Sequence, residues 1–152
     1  MANTQSMCTS FMQEVLTATH NFTTGTGDSF KAALYLASAT VNASTTVYST
    51  TGEVTGTNYS PGGVAVTNGT SPLSSNTSAT AGVAYWTPTA SLTYTNVTLT
   101  TAFDAVLIYN SSKSNKAVSV HTFGSQTVTA GTFTLTMPSN TTSTALIRLS
   151  TT

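Results

Sequence analysis

Threonine sets the terms for this chain: 36 of its 152 residues are Thr, and 20 more are Ser. A threonine side chain branches at Cβ, which restricts χ1 and favours the pleated strand over the helix. Its hydroxyl also keeps an outer face wet without adding charge. Serine competes for backbone hydrogen bonds in turns and at helix ends. A chain built this way is pushed toward strands joined by turns, provided it can fill a core. Here 59 residues are apolar, or 69 with the ten glycines, about 45% of the total and within ordinary globular usage. Leu, Ile, Val and Phe number only 30, bordering on disordered composition. Disorder of that kind also requires high net charge, whereas four acidic and four basic residues cancel in this chain. The length suits a single domain over residues 1–152.

One segment has helical spacing. Met7, Phe11 and Val15 recur every fourth residue, and Met12 and Leu16 widen the stripe, which predicts a helix over about residues 4–19. Ser10 with Gln13 would make a capping box, and Ser6 is an earlier N-cap candidate. His20-Asn21-Phe22 then leads into the turn-rich linker Thr23-Thr24-Gly25-Thr26-Gly27-Asp28.

Strands are expected from about residue 30 to 149. Phe30 to Leu36 is apolar enough for a strand covered on both faces, and Val41 to Ser49 reads as a threonine-rich strand. Gly52-Glu53 and Tyr59-Ser60-Pro61-Gly62-Gly63 are turn signals ahead of Val64-Ala65-Val66. Residues 68–82 are poorly patterned and read as an exposed loop. Leu92 and Tyr94 share one face while Val97 and Leu99 keep the other phase, so a bulge is expected at Thr95-Asn96. Ala105-Val106-Leu107-Ile108-Tyr109 is the most apolar pentad and the expected central strand, and Asn110 to Lys116 is the expected hairpin loop. The return strand begins at Ala117. Phe133, Leu135 and Met137 alternate with threonines until Pro138, and Ala145 to Leu149 closes the chain.

This makes eight to ten short strands with no second helix for a parallel crossover, so the sheets should be antiparallel. The expected fold is mainly β: an antiparallel two-sheet β-sandwich, jelly-roll-like or immunoglobulin-like, with one short N-terminal α-helix.

Few chemistries remain open. Four basic residues cannot neutralise a phosphate backbone, so no nucleic-acid partner is expected. No apolar run approaches the ~20 residues of a membrane span, and the N-terminus lacks the pattern of a secretory signal. Cys8, the single cysteine, can found neither an internal disulfide nor a thiolate zinc site, and a reducing compartment is expected. On that reading the eight Asn-x-Ser/Thr sequons, such as Asn21-Phe22-Thr23, follow from composition and are unused.

Candidate site residues resolve to structural readings. His121 with Asp104 and a serine could be drawn as a triad, but no nucleophile elbow is present. His121 reads as a partly exposed strand residue and Asp104 as a turn residue. His20 with Asp28 matches no metal-ligand spacing, and Gly25-Thr26-Gly27 lacks the third glycine of a dinucleotide loop. Glu14, Glu53, Asp28 and Asp104 are the only carboxylates available for glycosidase-type chemistry. Tyr85-Trp86, with Tyr59, is the one aromatic group that could face a glycan, though a buried Trp86 is the plainer reading. Lys113 and Lys116 read as a solvated hairpin tip. The expectation is no enzyme, no catalytic or metal site and no cofactor.

Charge scarcity points to assembly. Fifty consecutive residues, Val54 to Phe103, carry no charged side chain, and neither does Ala117 to Ile147. Permanent contacts between such surfaces avoid the several kcal/mol per ion that burying charge costs. A symmetric homo-oligomer is therefore expected. The helix stripe would then either plug its own sandwich, the favoured fate, or meet its symmetry mates.

The opening Met1-Ala2-Asn3-Thr4-Gln5-Ser6-Met7-Cys8-Thr9-Ser10-Phe11, the strings His20-Asn21-Phe22 and Phe30-Lys31-Ala32-Ala33-Leu34-Tyr35, and later Leu107-Ile108-Tyr109-Asn110, Lys113 to Val118 and Ala130 to Thr134 resemble small virion proteins of tailed bacteriophages. The resemblance implies a virion location and a structural role. A capsid decoration (cement) protein that braces the head by binding between subunits of the major capsid protein is the first expectation, and since such proteins commonly sit as trimers, the resemblance implies a homotrimer. A tail, neck or fibre component that recognises host-surface glycans is the alternative.

Overall fold

The computed structural model describes residues 2–76 and 82–151. Its longest feature is a hairpin of two strands, β6 (Leu92–Asn110) and β7 (Lys116–Leu135). Around it, in chain order, lie β1 (Ser6–Met7), α1 (Thr9–Leu16), β2 (Phe30–Leu36), β3 (Val64–Val66), β4 (Leu73–Ser75), β5 (Val83–Trp86) and β8 (Ile147–Ser150). They form two antiparallel sheets: five strands in the order β1-β7-β6-β2-β3, and three in the order β4-β5-β8. The fold is mainly β with one short helix, a two-sheet arrangement consistent with a sandwich.

The apolar pentad Ala105–Tyr109 occupies the middle of the larger sheet, between β2 and β7, and all five residues are buried. Phe30 to Tyr35 pair with Asn110 to Ala105 in unbroken register. Both faces of this region are covered, which is why both strands read as near-continuous apolar runs. Further along the hairpin the pattern becomes alternating. Leu92, Tyr94, Val97 and Leu99 are buried while Thr93 and Thr95 are exposed. The phase change falls where predicted: the register shifts between Tyr94 and Val97, and Asn96 sits in the left-handed region at φ 52°. Asparagine tolerates that conformation better than any branched residue.

Five local expectations are corrected. The helix spans Thr9–Leu16, not 4–19. Thr4 N–H bonds Val41 O, Ser6 and Met7 pair with Val120 and Ser119, and Cys8 N–H reaches Val118 O, so the first residues extend the sheet edge. Cys8 is the N-cap and makes no side-chain cap bond, so neither Ser6 nor the Ser10–Gln13 box caps the helix. Its C-terminus is a Schellman motif: Ala18 lies at φ 53°, with Ala18 N–H on Val15 O and Thr19 N–H on Glu14 O.

Val41 to Ser49 is not a strand. Asn42 Oδ1 accepts from Ser44 N–H, Thr45 Oγ1 accepts from Asn42 N–H, and Thr45 N–H bonds Asn42 O. This local turn chemistry outcompetes the ladder and leaves only an isolated bridge, Val47 to Lys116. Asp104 is not a turn residue but lies within β6, where its Oδ1 accepts from Asn3 Nδ2 at 2.6 Å. Within the expected 68–82 loop, Leu73–Ser75 forms β4; residues 77–81 of that expectation lie outside the described residues.

The two sheets are joined by aromatic rings. Phe22 stacks on Phe30 at 4.4 Å and meets Trp86 at 4.8 Å, while Phe11 lies 6.0 Å from Phe22. Phe11, from α1, thus enters the core at this end of the molecule. Met12 and Leu16 do not: they are 43% and 87% exposed. The helix stripe is split between a plug and an outward face.

Candidate functional site

Three places gather polar or exposed groups beyond the needs of a β core. The first surrounds Glu53. This carboxylate is buried, and it accepts from the Tyr59 hydroxyl at 2.7 Å, Gly62 N–H at 2.7 Å and the Tyr48 hydroxyl at 2.6 Å. Tyr48 in turn stacks on Tyr109 at 4.6 Å, and Tyr109 donates to Gly62 O. Tyr59 also accepts from Leu34 N–H, so the segment carrying Glu53 is tied to β2. Gly62 and Gly63 adopt positive φ, and a Cβ on Gly63 would lie 1.7 Å from Ala32 O, so only glycine lets the loop approach the strand this closely. Burial, reinforced by the Glu53 charge, pushes Tyr109 up to about 12.

The second cluster joins α1, the linker and the hairpin tip. Asn110, fully buried at the end of β6, donates one amide hydrogen to His20 Nδ1 at 2.9 Å and the other to Asp28 Oδ2 at 2.8 Å. With Nδ1 accepting, the His20 Nε2–H donates to Glu14 Oε2 at 2.7 Å. Lys116 Nζ lies 2.5 Å from Glu14 Oε1, and Lys113 Nζ lies 3.6 Å from Asp28 Oδ1. Burial pushes the Glu14 carboxyl up, but hydrogen bonds and charges from Lys116 and His20 outweigh it and hold it below its ordinary value. Asp28 behaves alike: burial is outweighed by Asn21 N–H, the Asn110 amide and Lys113.

This arrangement has the parts of a relay and the geometry of a clamp. Both imidazole nitrogens of His20 are occupied, and the ring contacts Phe11 at 5.1 Å. A general base needs a free nitrogen within reach of a substrate proton. The cluster instead clamps segments up to 102 residues apart in sequence. Lys113 lies exposed in the turn of the hairpin tip, as the sequence suggests, and Lys116, half-buried at the start of β7, adds an ion pair that the sequence does not show.

The third place is a cleft of about 200 Å³ between α1 and the inner face of β5 and β8. Val15, Ala84 and Leu149 form its rim, and Phe11, Phe22 and Trp86 its floor. Its lining is almost wholly apolar; His20 and Tyr85 are the residues there that carry polar groups, and both nitrogens of the His20 ring are engaged by Asn110 and Glu14.

The remaining candidates stay apart. His121 lies on β7, bonded to Ser119 Oγ at 2.9 Å, and burial lowers its pKa to about 4. Asp104 bonds Asn3 rather than His121, so no triad forms around that pair. Trp86 and Tyr59 are buried, and Trp86 Nε1–H donates to Asn68 Oδ1 and Thr70 O, each at 3.1 Å. Of the three aromatics nominated for glycans only Tyr85 reaches the surface, half-buried at the apolar cleft. Cys8 is buried, and burial together with the Glu14 charge pushes its thiol up to about 12. Among the described residues no group of three His, Cys, Asp or Glu could hold a metal ion, and no helix is long and apolar enough to cross a membrane.

Sequence reasoning missed Asn110 and the tyrosine nest. Asn110 reads as the first residue of a polar loop, and Glu53 reads as part of a turn; no spacing in the chain joins either to its partners. No protein family, curated protein or solved structure matches this chain.

Proposed function

We propose that the protein is a structural component of a tailed-phage virion, a capsid decoration protein that braces the head by binding, as a trimer, between neighbouring coat subunits. The observation that carries this reading is how six of the eight charges are used. Glu14 and Asp28 pair with Lys116 and Lys113, Glu53 is buried among hydroxyls, and Asp104 is bonded to Asn3. What faces outward on the long hairpin is neutral: Thr93, Thr95, Thr127, Thr129, Thr132 and Thr134 are exposed.

Such a surface can be covered permanently by another protein without desolvating ions. Its hydroxyls keep hydrogen bonds through interfacial water. The function is mechanical. Each copy adds interfaces of ~800 Å² per partner, and many copies together resist the pressure of packaged DNA. A tail, neck or fibre station remains the alternative, but the burial of Trp86 and Tyr59 removes the aromatic surface that would have favoured glycan recognition.

Quantitative mass spectrometry of purified virions tests the proposal. A copy number of the same order as the coat protein, with release of the chain lowering the temperature at which heads rupture, is expected. A handful of copies per particle would overturn the decoration role.

A further inference from the structure

All four carboxylate side chains of the protein are engaged away from Arg148. Glu14 is held by Lys116 and His20, Asp28 by Lys113, Glu53 by hydroxyls, and Asp104 by Asn3. The Arg148 guanidinium is nevertheless fixed: its Nη1 donates to Ser143 O at 2.8 Å and to Thr142 O at 3.3 Å. These two bonds use Nη1 alone, at one corner of a planar fork of five N–H donors. Arg148 lines a second cleft, of about 500 Å³, with Met7, Val83, Leu146 and Ser150. Leu146, Arg148 and Ser150 alternate along the chain, so one side-chain face of β8 forms a wall of this cleft. Met7 comes from β1, at the edge of the other sheet. β8 is itself an edge strand and pairs, among the described strands, only with β5. Such an edge is a template for one further strand.

We infer that this cleft is a docking groove for an extended, acidic segment of a partner protein, which lies along β8 and places a carboxylate on Arg148. Charge selects the occupant. A fixed guanidinium with no acidic side chain of its own chain is complementary to a carboxylate, which it binds through two parallel N–H bonds. A second copy of this chain does not fit, because its own four carboxylate side chains are already held. A small free anion would leave most of the cleft unfilled and would use neither the strand edge nor the apolar groups of Met7, Val83 and Leu146. An extended peptide uses all three: backbone bonds to the edge, apolar contacts beside them, and one charge that sets the register. The inference goes beyond the decoration role and does not depend on it.

Fluorescence anisotropy of the full chain with the labelled peptide Thr-Val-Glu-Val-Thr tests it, at low salt. The β-branched residues favour an extended probe. The same peptide with Gln for Glu, under the same label, should bind about 10- to 100-fold more weakly, the worth of a charge-assisted hydrogen bond. Arg148→Gln should weaken the Glu peptide by a similar factor. Ser150→Asp, which keeps Arg148 but supplies a carboxylate two residues along the same face, should do so too. Both positions are exposed, so far-UV dichroism should be unchanged. Lys31→Gln, which removes another cation that makes no ion pair, should bind like wild type. Hydrogen exchange of the β8 amides should slow when the Glu peptide is bound. Absence of binding, equal binding of the two peptides, a loss with Lys31→Gln as large as with Arg148→Gln, or unchanged β8 exchange would each overturn the inference.

Discussion

Glu53 and Glu14 are both taken out of water, at 5% and 9% exposure, yet they are stabilised by opposite means. Around Glu53 no cation is hydrogen-bonded; two phenols and a backbone N–H supply the donors. Around Glu14 an ammonium and an imidazole do so, and the partner Lys116 is itself 37% exposed. The first site is neutral hydroxyl chemistry enclosed by β2, β6 and the loops between them. The second is ion-pair chemistry at the molecular edge. A chain with eight charges can therefore hold a buried carboxylate without an ion pair, provided tyrosines surround it. The two sites should answer differently to pH, mutation and salt.

High pH should separate them most strongly. An unfolded phenol ionises near 10, whereas burial, then the Glu53 carboxylate, pushes Tyr35 and Tyr109 up to about 12 and Tyr48, Tyr59 and Tyr94 further. The folded state keeps these hydroxyls protonated, so unfolding releases protons above pH 10. Stability is then complete below pH 10 and falls as pH rises, by up to ~1.4 kcal/mol per phenol per pH unit. Phenolate absorbance should rise in one step that coincides with loss of dichroism between pH 10 and 12. Gradual ionisation near pH 10 with the fold intact would show the nest to be open.

Next in size is removal of the nest's centre. Glu53→Leu leaves the Tyr48 and Tyr59 hydroxyls and Gly62 N–H without their acceptor. The unfolding free energy should fall by about 3–5 kcal/mol in a urea titration, because each buried donor left unmade costs ~1–3 kcal/mol before relaxation. A loss below ~1 kcal/mol would mean that water replaces the carboxylate.

His20→Ala should act more moderately on the second cluster. The side chain is fully buried, so the change opens space beside Phe11 and strands one Asn110 hydrogen and one Glu14 oxygen. About 2–4 kcal/mol is expected from urea midpoints. A variant as stable as wild type would show that Asn110 and Asp28 hold the linker unaided.

What the sequence shows of these sites follows from the range of the interactions. The central strand Ala105–Tyr109 and the bulge at Asn96 are legible because side-chain alternation is a property of neighbours along the chain. The ends of α1 are not legible, because Met7, which continues the helical spacing, and Ser6, the N-cap candidate, pair instead with Ser119 and Val120 on β7. Val41 to Ser49 misleads because threonine serves strands and turns alike, and Asn42 decides the matter through bonds two and three residues away. Glu53 and Tyr59 are six residues apart, but the nest needs Tyr109 and Tyr94 from β6 to close it. Glu14, His20 and Asn110 meet only after β6 and β7 have formed. Neither cluster has a local signature.

The surface ion pairs should matter least, and their response to salt completes the contrast. Lys113 is 43% exposed and 3.6 Å from Asp28, a geometry in which solvent screens most of the attraction. Lys113→Met should lower stability by at most ~0.5 kcal/mol, and Lys116→Met, at shorter range, by ~1 kcal/mol. Methionine keeps most of the aliphatic stem, so packing against the hairpin tip is preserved and only the charge is removed. Raising the salt to about 1 M shortens the Debye length to ~3 Å and should erase the Lys113 difference and reduce the Lys116 difference, since Lys116 is in direct contact with a carboxylate 9% exposed. The Glu53→Leu deficit should persist under the same conditions, because its donors are uncharged and enclosed. Urea titrations of the three variants at low and high salt give the comparison directly. If the Glu53→Leu deficit shrinks with salt in step with the lysine variants, the nest is wet and charged, and the distinction between the two carboxylates fails.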